Sequence, residues 1–351
     1  MRVRALLFEK PTGVFLWVAV PAMLFFSIAP LPAAQQPDAE PPVPKGFGST
    51  EEVKEAIGQG KVRLVNLFIP LPENVEVINN VEYGRVGERS LQLDLYQPKG
   101  LSKPVPAVIL IHGGGWKSGN RQIYRYYCIK LAEKGYVTAT ISYRLSEEAP
   151  YPAAVQDAKC AVRWLRANAR KHHVDPDKIA VLGGSAGGHL AMMVGYSSGV
   201  KALEGNGGNA GVSSAVQAAI DFYGPVDLTA DEAKKAGAVI DFMGGKRYNE
   251  AEAQYREASP ITHLAKGAPP TLILHGTIDD TVPIAQADLL ARKLKELGIP
   301  YEYERLEGWP HTMDLSEDVN RRCLWRVERF LVKHLPVPPG ALPPASSTAA
   351  E

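Results

Sequence analysis

Cysteine is scarce. Three thiols, Cys128, Cys160 and Cys323, are spread over 351 residues. The odd number leaves at least one unpaired, and no Cys-x-x-Cys pair provides a redox or zinc motif. All three sit in helical patterns beside apolar residues and read as buried small hydrophobes. Excess charge is also missing: 39 Lys and Arg face 38 Asp and Glu, for a net charge of +1. No basic stripe argues for nucleic acid or for an anionic membrane surface. There is no internal repeat, and no glycine loop carries the Lys-Ser/Thr or dinucleotide context of a phosphate-binding cofactor site. His172 and His173 are adjacent and point in different directions, a poor ligand pair, so neither metal nor cofactor is expected.

Long apolar runs are limited to residues 13–28. That run follows Arg2, Arg4 and Lys10 and precedes the small-residue stretch ending at Ala34, the layout of an export signal (1–34). A retained N-terminal anchor is the rival, although the run is short for a bilayer. No Cys lies near this boundary for lipid attachment. The expectation is a periplasmic or secreted protein, with no stable membrane association if the signal is cleaved. Residues 35–46 read as a linker and 336–351 as a disordered tail rich in Pro, Ala and Ser, neither expected to pack.

Between them, 47–335 is long enough for one large domain. A helix is expected from residue 50, capped by Ser49 or Thr50. Strands are expected at 75–83 and 90–96, then at 105–111, 136–142, 179–182, 216–222, 271–274 and 301–306. Helices fall between the later ones, at 122–134, 152–169, 187–196, 284–297 and 315–335. Alternation of this kind predicts an α/β fold: a mostly parallel, eight-stranded sheet with helices on both faces. Residues 228–268 break the rhythm as a polar, partly helical insertion, placed to form a lid or substrate wall above the carboxyl ends of the strands.

The chemistry starts at Gly183-Gly184-Ser185-Ala186-Gly187, between a buried-strand pattern and a helical one. The glycines allow a turn so tight that the serine hydroxyl is lifted out of the sheet, the G-x-S-x-G nucleophile elbow. Such a serine needs a base and a carboxylate, met along the chain in the order Ser, acid, His. Of eight histidines, His311 alone lies in a loop between the last strand and the last helix, where it can reach over the sheet. His275 ends a strand and is expected to anchor the turn that follows; His334 lies too far along the last helix. Asp279 and Asp280 both leave the 271–274 strand at the active edge, and the residues alone do not separate them. The strand 105–111 runs into His112-Gly113-Gly114-Gly115-Trp116, a bare backbone suited to an oxyanion hole, with the Ala186 N–H as a further donor. Trp116 and Tyr223 are the aromatic candidates for the substrate wall.

HGGGW (112–116), SYRLSEEAPYPAAVQD (142–157), GGSAGGHLA (183–191), DFYGPVDL (221–228), ASPITH (258–263) and HGTIDDTVP (275–283) together resemble the α/β-hydrolase superfamily. Within it the chain is similar to the bacterial esterases related to hormone-sensitive lipase and to the feruloyl- and acetyl-esterase-like group. The likeness covers about residues 75–335. It implies Asp279 as the acid, the fourth residue after the His of the HG-x-x-D motif, and Gly114 and Gly115 as the oxyanion glycines. Glu147 stands where that family usually has proline, which leans toward the feruloyl/acetyl-esterase branch. The expected activity is an exported serine carboxylesterase acting on small or aromatic acyl esters, on small molecules or plant polysaccharide. An arylformamidase-like amidase shares the elbow and the glycine loop. A prolyl-oligopeptidase-type peptidase lacks room for its propeller in residues 35–100, and a non-catalytic binding protein on this scaffold would usually have lost a triad member. Oligomeric state is not legible.

Overall fold

The computed structural model describes residues 39–343, so the export-signal segment and residues 344–351 lie outside the described residues. Eight strands form one sheet: β1 (Val75–Val86), β2 (Arg89–Pro98), β3 (Val105–Ile111), β4 (Val137–Ile141), β5 (Val174–Gly184), β6 (Ala218–Phe222), β7 (Thr271–Gly276) and β8 (Tyr301–Leu306). Their order is β1-β2-β4-β3-β5-β6-β7-β8. The β1–β2 and β2–β4 pairs are antiparallel and the rest parallel. The cause is visible in the residues. β3 is apolar throughout and buried at every position, as a strand covered on both faces must be. β5 lies between β3 and β6, so whatever follows β5 emerges at the middle of the sheet.

The helices are α1 (Thr50–Gly58), α2 (Arg125–Glu133), α3 (Ala153–Ala167), α4 (Ala186–Tyr196), α5 (Gly237–Phe242), α6 (Glu252–Glu257), α7 (Pro260–His263), α8 (Ala285–Leu297) and α9 (Glu317–His334). α2 and α9 meet through Asn320 Nδ2, which donates to Tyr127 Oη at 3.2 Å. α4 and α8 cover β7 through Met192, Leu290 and Ile273. Each connection from β3 onward is a parallel-strand crossover carrying at least one helix, so helices cover the sheet as the alternation predicted. The three cysteines are free and buried. Among the described residues no helix is long and apolar enough to cross a membrane.

Both ends pack more than their composition suggested. The described part of the 35–46 stretch is not a loose linker: Arg322 donates to Pro41 O at 2.6 Å and pairs with Glu40, and Trp309 Nε1 donates to Pro44 O at 3.3 Å. Residues 336–343 are ordered against the body. Val337 and Ala341 are buried, and Ser102 N donates to Ala341 O at 3.0 Å. In both cases the carbonyls of a proline-rich stretch find donors on the domain, which composition does not reveal.

Candidate active site

β5 ends at Gly184 and α4 begins at Ala186, so Ser185 alone makes the turn. Its backbone takes φ +56° and ψ −124°, outside the ordinary regions for an L-residue. The Ser185 N–H is fixed by Phe222 O at 2.8 Å. Close approach explains the glycines. A Cβ on Gly183 would lie 2.1 Å from Gly187 O, and one on Gly187 would lie 2.0 Å from Ile111 O. Helix and strands cross here at a distance that only glycine permits.

His311 reaches this serine from the loop after β8. Its Nε2 is 2.9 Å from Ser185 Oγ and its Nδ1 2.7 Å from Asp279 Oδ2. The Nδ1–H donates to the carboxylate, which leaves Nε2 to accept the serine proton. Asp279 Oδ1 accepts from Thr281 N at 2.9 Å and Val282 N at 2.8 Å. Burial alone would push this carboxyl up, but hydrogen bonds from His275 and His311 bring it down to about 2. Asp280 is exposed at the cavity edge and, among the described residues, its carboxylate meets only hydroxyls, Thr50 Oγ1 at 3.3 Å and Thr281 Oγ1 at 3.4 Å. The geometry selects Asp279.

The loop carrying the base is pinned from the N-terminal side. Trp309 is buried, its ring edge-on to Phe47 at 5.5 Å, and Trp309 O accepts from Ile278 N at 3.2 Å. His275 anchors the acid loop as expected: its Nε2 lies 2.8 Å from Val282 O.

Between Ile111 and Trp116 the chain turns with φ of +109° at Gly114 and +60° at Gly115. Gly114 O is held by Ser118 N at 3.0 Å, and His112 O by Tyr143 Oη at 3.0 Å. Among the described residues, no group accepts a hydrogen bond from the N–H of Gly114, Gly115 or Ala186, and all three residues line the same cavity as Ser185. Free amides beside a nucleophile are what a developing oxyanion requires.

The cavity is about 770 Å³ and predominantly apolar. The 228–268 insertion supplies one wall, through Ala236, Ala238 and Val239. Trp116 lines it and is also core: its ring stacks on Phe242 at 4.5 Å and its Nε1 donates to His189 Nδ1 at 3.2 Å. Tyr223 lines it, packs 4.8 Å from the His311 ring, and donates its hydroxyl to Asp314. Among the lining residues not foreseen, three bear on the site's shape. Leu67 comes from the irregular strap before β1, while Asp314 and Asn320 close the buried end near Tyr127. Burial raises the Asp314 carboxyl. Its place three residues after His311 was the one available signal; Leu67 offered none.

Residues 93–294 match the BD-FAE family. The chain is 30% identical to esterase LipQ of Mycobacterium tuberculosis over 78% of its own length and 66% of that protein. It is 28% identical to the versiconal hemiacetal acetate esterase of Dothistroma septosporum, over 75% and 81%. It therefore spans about two thirds of the mycobacterial relative. Among solved structures, a truncated carbohydrate esterase from gut microbiota superposes with a TM-score of 0.68 at 28% identity, over 76% of this chain and 98% of that one. Apo Thermogutta terrifontis esterase 2 gives 0.66 at 31%, over 77% and 98%. With the elbow and its sheet already in place, these matches show that the chain belongs to the BD-FAE family, within the α/β-hydrolase esterases.

Proposed function

We propose that the protein is a carboxylesterase working through an acyl-enzyme. The observation that carries this is the unbroken line Ser185 Oγ–His311–Asp279, with spacings of 2.9 and 2.7 Å. His311 Nε2 takes the serine proton as Oγ attacks the ester carbonyl. The oxyanion is received by the free amides of Gly114, Gly115 and Ala186. His311 then protonates the leaving alcohol, and water, activated by the same base, releases the acid.

An acetyl group occupies only a small part of a 770 Å³ apolar cavity. The volume supports a bulky or aromatic group on at least one side of the ester, with feruloyl-type esters ahead of plain acetates. The likeness to a carbohydrate esterase supports an ester carried on polysaccharide. Export is supported by the basic head and the apolar run at 13–28. A fluorophosphonate probe should label Ser185, and a folded but unlabelled protein would refute the assignment. A panel of p-nitrophenyl acetate and butyrate, methyl ferulate, acetylated xylan and N-formylkynurenine then fixes the class. The highest kcat/KM is expected on methyl ferulate; a preference for N-formylkynurenine would make the protein an amidase. Sequencing the N-terminus of the protein recovered from cell fractions tests cleavage near Ala34.

A further inference from the structure

The catalytic carboxylate is held by more than the triad needs. Asp279 Oδ2, the oxygen that receives His311 at 2.7 Å, also lies 3.2 Å from His275 Nε2. His275 is fully buried at the end of β7, and the same Nε2 reaches Val282 O at 2.8 Å. Both of these partners are acceptors, so Nε2 carries the proton; it donates to Val282 O, with Asp279 Oδ2 beside the same N–H. Two imidazole N–H groups therefore meet at one carboxylate oxygen, one facing the serine and the other facing the core.

We propose that His275 is a positioning residue for the general base, which sets the pH at which His311 becomes active by sharing the Asp279 oxygen that orients it. This rests on the esterase reading above. A second N–H on Oδ2 draws negative charge away from the His311 side. The His311 imidazolium is then less stabilised than by a carboxylate serving it alone, and the base is free at lower pH. The groups that face this pair support the assignment. Around His311 they are Asp279, Asp314 and Tyr223. Around His275 they are Asp279 from its own loop, Asp221 from β6, Asp288 from α8 and Tyr223. Asp221 pairs in register with Ile273, so it projects from the same sheet face as His275, two residues on. Asp221 Oδ2 and His275 Nδ1 are both buried without a hydrogen-bond partner among the described residues. An Nδ1 with no acceptor in reach is consistent with the Nε2–H form that Asp279 requires. Among the described residues no Lys or Arg pairs with Asp279, so removing the His275 N–H leaves the Oδ2 charge to His311.

The test is the pH profile of kcat/KM on a p-nitrophenyl ester, whose acid limb reports the free base. In His275→Leu and in the shorter His275→Asn, the limb should move up by about 0.5–1 pH unit. His275→Gln, whose amide N–H reaches the Nε2 position, should restore most of the wild-type limb. If His275 only braced the loop through Val282, kcat or thermal stability would fall while the limb stayed in place. An unmoved limb in a folded Leu or Asn variant overturns the proposal, and so does an equal shift in the Gln variant. Fluorophosphonate labelling of the wild type separates the two failures. A labelled enzyme with an unmoved limb refutes only the role of His275, whereas an unlabelled one refutes the esterase reading and this proposal with it.

Discussion

Asp279→Asn is the sharpest perturbation the site offers, because the change is nearly isosteric and its consequence follows from donor counting. Asp279 Oδ1 accepts two backbone N–H groups, from Thr281 and Val282. In the variant only the amide oxygen can accept them, so the amide NH₂ must turn toward His311 and His275. An NH₂ there cannot accept from His311 Nδ1. The ring switches tautomer, carries its proton on Nε2, and presents an N–H to Ser185 Oγ where it had presented a lone pair. The base is lost with little movement of the fold. The expected fall in kcat is about 10⁴-fold, or about 5.5 kcal/mol of transition-state stabilisation. KM should change far less, since no substrate contact is removed. The carboxyl is held at about 2 against an ordinary 3.8, so losing it also costs about 2 kcal/mol of folding stability near neutral pH. Assays therefore belong well below the variant's Tm. The matching control is Asp280→Asn, which removes only contacts to hydroxyls and should leave most of the activity. If a folded Asp279→Asn enzyme kept a tenth of wild-type kcat, or if Asp280→Asn were the more damaging change, the acid assignment would be wrong.

Asp221 tests the pH dependence of folding in the opposite sense. Burial raises its carboxyl to about 7, so the folded state holds a proton that the unfolded chain has released, and this group lowers stability as pH rises from about 4 to 7. Asp221→Asn keeps an acceptor for Gly224 N, and its stability relative to wild type should grow across that window in urea titrations; a gap independent of pH would contradict this. Gly187→Ala places a Cβ 2.0 Å from Ile111 O and 2.8 Å from His112 O, forcing the nucleophile helix away from the oxyanion loop. A displacement near 1 Å should lower kcat/KM by about 100-fold or more, read on any p-nitrophenyl ester. Ending the chain at Leu335 exposes the sites of Val337 and Ala341 and should remove about 2 kcal/mol, seen as a Tm lower by several degrees; an unchanged Tm would mean that the tail packing carries no weight.

How far the residues reveal this molecule depends on how local the governing physics is. The elbow is legible because its constraint is local. Gly183, Gly184 and Gly187 lie within two residues of Ser185, and the limit that Gly183 answers is the crossing of the consecutive elements β5 and α4. The parallel sheet is legible for a similar reason, since β3 is apolar over its whole length, β7 carries the apolar run Leu272–Leu274, and both are buried at every position. Asp279 and Asp280 could not be separated by that logic. The choice between them rests on two backbone amides and a histidine 32 residues downstream. The packed ends lay beyond it as well. Pro44 and Ala341 contribute carbonyl oxygens, a group that every residue has, so nothing in their side chains announces the contact.

The same distinction sets where the remaining specificity resides. The reaction centre is assembled from strand ends and tight turns, with donor and acceptor fixed to within a hydrogen bond. The cavity wall is assembled from Leu67 on the strap before β1, from Ala236, Ala238 and Val239 in the insertion, and from Trp116 braced on Phe242. Apart from Trp116, whose Nε1 donates to His189, none of these carries a polar requirement, and side chains of similar volume could replace them without disturbing Ser185, His311 or Asp279. Because Phe242 lies in α5 and stacks on Trp116, a change in the insertion is transmitted to the loop that bears the oxyanion amides. Substitutions at Ala238 or Val239 should therefore alter KM for bulky esters, whereas substitutions at Phe242 should also lower kcat for small ones.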